Sequence, residues 1–264
     1  MSMHILITND DGIYSEGIQV LSQTLFEKID RCCLSIIAPD RERSAIGHAI
    51  TMHRPLRVEE VKFMHNPELT GWAVNGTPAD CVKLAIEAIL EKPPDLVISG
   101  INRGSNLGTD VLYSGTVSAA IEGFIMGIPS LALSVAGQGN SSAFRFAAEY
   151  ICRLIPALKE LKTMIPALIN INFPSTLDEI KGVKITRLGK RRYRNTFEKR
   201  IDPRGLQYYW LAGELIDDRE DDNSDTQAVS EGYISVTPVQ VLVTKHELMP
   251  DLEKIFGKID FCTD

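Results

Sequence analysis

Two adjacent carboxylates stand in Thr8-Asn9-Asp10-Asp11-Gly12, directly after the apolar run Ile5-Leu6-Ile7 and before a stretch of helical spacing. Within a strand, neighbouring side chains point to opposite faces. At a strand end, Gly12 supplies a tight turn that lets both carboxylates bend toward one point. Carboxylates that close repel each other unless a cation lies between them, so the pair is either solvated or a seat for a metal. Taken alone, Asp-Asp-Gly reads as a turn and a helix cap. Three further segments shift that balance.

The first is the apolar run Ile36-Ile37-Ala38 leading through Pro39-Asp40-Arg41-Glu42-Arg43 to Ser44 and Gly47, a charged loop that ends on a small hydroxyl. By itself Ser44 equally suits a turn. The second runs from Asp95 to Gly108, where Leu96-Val97-Ile98-Ser99 feeds a loop with Gly100, Gly104 and Gly108 at four-residue spacing and with Asn102 and Asn106. It matches neither the G-x-G-x-x-G dinucleotide fingerprint nor a Walker loop. Asn offers a neutral carbonyl to a hard cation and amide donors to phosphate oxygens, so the loop suits metal and anion together. The third, Tyr113-Ser114-Gly115-Thr116 followed by Val117-Ser118-Ala119-Ala120, is a small-residue turn opening a helix. Its free N–H groups make a phosphate site, with simple capping the plain alternative for Thr116. The resulting oxygen set is Asp10, Asp11, Ser44 and Asn102. Without Cys or His, it favours Mg²⁺ or Mn²⁺ over zinc.

These segments need strand ends to bring them together. Apolar runs at 4–8, 34–38, 96–99, 130–134 and 167–172 alternate with helical spacing at 17–28, 79–91, 116–126 and 142–161. That alternation predicts an α/β fold, a parallel sheet covered by helices on both faces, with ligands at the carboxyl ends of the strands. After Gly182 the texture changes. Arg187 to Arg204 is basic and aromatic, and Gln207 to Leu211 reads as a strand. The segment is an antiparallel excursion about Pro203-Arg204-Gly205, followed by an acidic run, Asp217 to Asp225, read as a solvated loop rather than a second metal site. A strand at 232–239 and a helix starting near Lys245 close the chain. The division is a core over 1–182 and an extension over 183–264.

The 264 residues, 44% of them hydrophobic, suffice for one large domain, and the net charge of −7 offers no basic stripe for nucleic acid. Five cysteines, Cys32, Cys33, Cys81, Cys152 and Cys262, lack C-x-x-C spacing, which suggests neither a disulfide framework nor zinc. There is no signal-like leader and no run of the ~20 apolar residues that a membrane span needs. The expectation is a cytoplasmic protein, bound to neither membrane nor nucleic acid.

Asn9-Asp10-Asp11-Gly12, Ser44 in its loop, Ser99-Gly100-Ile101-Asn102 with Gly104-Ser105-Asn106, Tyr113-Ser114-Gly115-Thr116 and, near the end, Ser235-Val236-Thr237-Pro238 resemble the SurE family of stationary-phase survival proteins, a 5′-nucleotidase family. The resemblance implies a Rossmann-like three-layer core with a C-terminal antiparallel hairpin and terminal helix. It implies one divalent cation per subunit, Mg or Mn, on Asp10, Asp11, Ser44 and Asn102. Substrate contacts would come from Asn9, Asn106, Ser114, Gly115 and Thr116. The implied activity is hydrolysis of nucleoside 5′-monophosphates to nucleoside and phosphate, with 3′-nucleotides and short polyphosphate as further substrates. The implied assembly is a homodimer or homotetramer that exchanges C-terminal segments.

The mechanism this suggests is in-line attack by a metal-activated water, with Asp10 or Asp11 as catalytic proton acceptor. A phosphorylated aspartate ranks lower, since Gly12 replaces the second acid of a D-x-D pattern. His48 is the histidine nearest a candidate loop for a leaving-group acid. Thr116→Val is expected chiefly to weaken substrate binding. Two other classes remain as rivals: a non-catalytic nucleotide sensor using the same pocket, and an oligomeric scaffold built on 187–215. Phosphate release from a nucleotide panel with Mn²⁺ separates the enzyme from the sensor; removing 187–215 should destroy all function if the protein is a scaffold, and chiefly disrupt assembly if it is the enzyme.

Overall fold

The computed structural model describes residues 3–63, 66–161, 167–176, 180–194, 197–217 and 223–257. In chain order the strands are β1 (Met3–Thr8), β2 (Cys32–Pro39), β3 (Val58–Phe63), β4 (Asn66–Val74), β5 (Leu96–Arg103), β6 (Ser130–Val135), β7 (Leu168–Phe173), β8 (Gly182–Ile185), β9 (Arg191–Arg194), β10 (Phe197–Ile201), β11 (Gln207–Leu211), β12 (Glu214–Asp217) and β13 (Tyr233–Pro238). The α-helices are α1 (Glu16–Lys28), α2 (Pro78–Leu84), α3 (Gly115–Ile125), α4 (Ser141–Leu161), α5 (Asp225–Ser230) and α6 (Met249–Phe256).

Nine strands form one sheet in the order β3-β4-β2-β1-β5-β6-β7-β13-β8. The six from β4 to β7 run parallel, as the alternating pattern predicts. The sheet is nevertheless mixed: β3 lies antiparallel to β4, and β13 antiparallel to β7. Neither β3 nor β4 is legible in advance, because Val58-Glu59-Glu60-Val61-Lys62-Phe63 exposes most of its side chains at a sheet edge and carries no continuous apolar run. The helical stretch expected over 79–91 divides into α2 and a wider π-helical turn, Ala85–Ile89. α2 starts on a capping box in which Thr77 and Asp80 satisfy each other's N–H groups.

Alternation along the strands fixes the layers. On one face Ile5, Ile7, Ile36, Ile98 and Phe173 pack beneath α1 and α4, against Leu21, Leu25, Phe144 and Ile151. On the other, Leu6, Ile37, Val74 and Val97 pack beneath α2 and α3, against Val82 and Ala119. The chain fills β1, β2 and β4 on one side, then returns to place β5 on the other side of β1. The strand order therefore reverses between β1 and β5, and a crevice opens at their carboxyl ends.

Residues past 182 contribute β8 and β13 to this same sheet. Between those strands the chain leaves as two short antiparallel ladders, β9 with β12 and β10 with β11. The turn between β10 and β11 closes with Asp202 O accepting from Gly205 N at 2.9 Å and Asp202 Oδ1 accepting from Arg204 N at 2.8 Å. The acidic run is not a solvated loop at its C-terminal end: Asp225 is buried and opens α5, while 218–222 lie outside the described residues. The final helix is α6, preceded by a 3-10 turn at His246–Leu248.

Candidate active site

A cavity of about 490 Å³ lies at the reversal point, lined among others by Asp10, Asp11, Ser44, Asn102, Asn106 and Ser114. Three separate strand ends supply these residues. β1 leads to the two aspartates and the loop after β2 brings Ser44. β5 carries Asn102, and the loop after it carries Asn106 and ends on Ser114.

The aspartate turn is held by Asn9. Its Oδ1 accepts from Gly12 N at 3.1 Å, and its Nδ2 donates to Gly12 O at 3.0 Å and Ser15 Oγ at 2.7 Å. Buried and bonded at both ends of its amide, Asn9 shapes the turn. It does not line the cavity as the substrate contact expected of it. Gly12 has φ +96, and a Cβ there would sit 3.0 Å from the Arg41 carbonyl carbon.

Helix α3 grips Asp10 from the opposite side. Thr116 Oγ1 donates to Asp10 Oδ1 at 2.6 Å, and Thr116 is fully buried. Its hydroxyl thus positions Asp10, a role beside the substrate contact expected of it, and Thr116 is not among the residues lining the cavity. A Cβ on Gly115 would approach Asp10 Cβ to 2.7 Å, so a hydrogen at that position is what lets helix and carboxylate meet. Ser114 caps α3, with its Oγ accepting from Val117 N at 3.1 Å.

The remaining ligand candidates keep their oxygens open. Asn102 Nδ2 donates to Gly104 O at 2.8 Å and Arg103 O at 3.4 Å, which leaves its side-chain carbonyl oxygen free to accept a ligand. Ser44, exposed, donates its proton to the Glu42 carboxylate and retains oxygen lone pairs. Asp11 Oδ2 accepts from Arg103 N at 3.2 Å. Burial pushes the Asp10 carboxyl up to about 6; the Thr116 hydroxyl works against this rise and the neighbouring Asp11 charge adds to it. Asp11 is also raised, again first by burial. Both carboxylates therefore lack full charge compensation from the protein. Two such groups beside a neutral carbonyl and a hydroxyl fit a hard divalent cation. Among the described residues, no group of three or more His, Cys, Asp or Glu side chains is gathered closely enough to hold a metal ion, so an ion here would rest on two carboxylates and neutral oxygens.

Several supports were not legible beforehand. Asn106 N donates to Asn172 Oδ1 at 2.8 Å, while Asn106 O accepts from Asn170 Nδ2 at 2.8 Å and Asn172 Nδ2 at 3.0 Å. Asn106 Nδ2 donates to Ser134 Oγ at 2.8 Å. The available signal was Asn170-Ile171-Asn172, two amides on one face of an otherwise apolar strand. Asp225 accepts from Gly108 N and Gly189 N, each at 2.8 Å, which ties the same loop to the base of the extension. His48 lies outside the cavity lining, where Nε2 pairs with Glu122 Oε2 at 2.8 Å.

An α/β sheet with a carboxylate-centred, oxygen-lined cavity at its switch point defines a Rossmann-like protein with a polar pocket at the carboxyl ends of its parallel strands. Comparison with known proteins narrows this class. The family model "Survival protein SurE" matches residues 5–195. The chain is 52% identical to the 5′-nucleotidase SurE of Carboxydothermus hydrogenoformans, covering 95% of both chains. It is 55% identical to that of Pelotomaculum thermopropionicum over 96% of this chain and 95% of the relative. It superposes on the crystal structure of the SurE protein from Aquifex aeolicus with a TM-score of 0.78 at 40% identity, covering 96% of this chain and 99% of that one. The chain belongs to the SurE family.

Proposed function

We propose that this protein is a 5′-nucleotidase that hydrolyses nucleoside 5′-monophosphates with one Mg²⁺ or Mn²⁺ per subunit. The observation that carries the reading is the meeting of Asp10 and Asp11 with Ser44, Asn102 and the Ser114 helix start around one cavity. The names of its relatives, 5′-nucleotidase SurE, support the substrate class.

Asp10, Asp11, Ser44 and Asn102 would hold the cation. Bound there, a divalent ion supplies Lewis-acid polarisation of the phosphoryl oxygen and lowers the pKa of a coordinated water. The chain's own groups do the rest. The Asn106 amide and the N–H groups at the start of α3 hold phosphate oxygens, and Ser114 orients that start by capping it. Asp10 or Asp11 accepts the attacking water's proton, with Thr116 fixing the orientation of Asp10. Gly115 keeps that approach clear.

The exposed surface supports an assembly of copies. Phe197, Trp210 and Leu211 on the β10–β11 ladder are 67%, 58% and 76% exposed, and Leu252, Ile255 and Phe256 of α6 are also exposed. Apolar surface of this extent is suited to a second copy, in a homodimer or homotetramer that uses the segment after 182. No described helix is long and apolar enough to cross a membrane, and we place the enzyme in the cytoplasm.

The test is phosphate release from 5′- and 3′-nucleoside monophosphates and short polyphosphate, with Mg²⁺, Mn²⁺ or chelator present. Metal-dependent release from 5′-nucleotides is expected. Tight nucleotide binding without release would establish the sensor reading instead.

A further inference from the structure

We propose that Asp110 binds the ribose hydroxyls of the substrate and so makes the site prefer ribonucleotides over nucleotides lacking those hydroxyls. The proposal rests on the nucleotidase reading and extends it from the phosphate to the sugar.

Asp110 lies in the cavity lining, in the 3-10 turn Gly108–Leu112 just before Ser114. Its main-chain oxygen accepts from Tyr113 N at 2.9 Å and Ser114 N at 3.1 Å, so its place relative to the start of α3 is fixed. The side chain is 21% exposed. Both of its side-chain partners fall on one oxygen: Arg191 Nη1 donates to Oδ2 at 2.9 Å, and Tyr193 Oη donates to Oδ2 at 2.7 Å. The arrangement leaves Oδ1 with acceptor capacity in a cavity wall.

A carboxylate beside a phosphate site is unfavourable unless it meets donors or cations. The lining holds five, Asp10, Asp11, Glu16, Glu42 and Asp110. The first two have the cation. Glu16 accepts from Ser141 Oγ and lies 3.7 Å from Arg103 Nη2, and Glu42 accepts from Ser44 Oγ. For Asp110 the repulsion is offset by Arg191 on Oδ2, and its other oxygen is left with acceptor capacity in the cavity lining, where an incoming donor would pair with it. The ring hydroxyls of a 5′-nucleotide are the donors that lie a few bonds from its phosphate. A vicinal diol and a carboxylate form a pairing that discriminates strongly, because an absent hydroxyl leaves the acceptor unpaired. Tyr113, 65% exposed, lines the same cavity and is a candidate ring for the base to stack on.

The experiment compares kcat/KM for a ribonucleoside 5′-monophosphate and its 2′,3′-dideoxy counterpart, with saturating Mn²⁺, in wild type, Asp110→Ala and Asp110→Asn. Wild type should favour the ribonucleotide by roughly tenfold or more, the size of one hydrogen bond to a charged group. Asp110→Ala should bring the ratio close to one. Asp110→Asn, which keeps an accepting oxygen, should fall between. A loosened loop would slow both substrates alike, so a ratio that stays at the wild-type value in Asp110→Ala overturns the proposal. A wild-type ratio near one overturns it without any variant. Wild-type release of phosphate from p-nitrophenyl phosphate but from no nucleotide would instead remove the nucleotidase reading beneath it.

Discussion

At the scale of single residues, Asp10 is the group whose environment matters most. Its carboxyl, pushed up to about 6 by burial, holds its proton in the fold at pH values where an unfolded Asp has lost it. Between the ordinary 3.8 and about 6 the native state therefore binds more protons, and stability falls as pH rises through that window. The cost at neutral pH is roughly 3 kcal/mol for the metal-free protein. Thermal melts with chelator should accordingly give a higher Tm near pH 5 than near pH 7.5, and Mn²⁺ should reverse the order, since the cation binds the charged form. Equal melts at both pH values, with and without Mn²⁺, would contradict this account. Asp10→Asn should abolish Mn²⁺-dependent phosphate release while the circular dichroism spectrum is retained. Thr116→Val removes a bond that favours charged Asp10, so the acidic limb of the pH–rate profile should move upward. A change confined to KM would restore Thr116 to the substrate-contact role.

At the scale of elements, the site depends on how closely α3 approaches the turn after β1. Gly115→Ala forces a methyl to within 2.7 Å of Asp10 Cβ, so helix or carboxylate must shift. A stability loss of ~1–3 kcal/mol is expected, with a larger loss in kcat than in KM, read by denaturant melts and steady-state kinetics. Helix α5 has a comparable role through Asp225, whose carboxylate serves N–H groups of Gly108, Gly189 and Thr226. Asp225→Ala strands buried donors and should destabilise by about 3 kcal/mol or more. Hydrogen exchange should locate the opening at 104–113.

At the scale of the whole molecule, the hairpin ladders serve both surface and site. Removing all of 187–215 would take away Gly189 and Arg191, which hold the cavity loop, so it cannot isolate assembly from catalysis. Trp210→Glu with Leu211→Glu alters only exposed side chains of the β10–β11 ladder. Light scattering should then report a smaller assembly, whereas loss of metal-dependent hydrolysis at unchanged mass would show that this ladder acts on the site directly.

The sequence by itself determined the parallel core and the strand ends where chemistry gathers, because both follow from local pattern: apolar runs, helical spacing, and small or acidic residues at the boundaries. Asp10, Asp11, Ser44, Asn102, Asn106 and Ser114 were legible for that reason, and the tertiary structure brings them around one cavity. Only the tertiary structure decided the rest. It turned Asn9 into a turn-former and aimed Thr116 at Asp10 across 106 residues. It buried Asp225 as the anchor of a loop 117 residues earlier and inserted β13 antiparallel beside β7. Each of these is a pairing between segments far apart in the chain. Side-chain type and spacing state what a residue can bind. Which partner it meets is set by sheet order and register, which no local window contains.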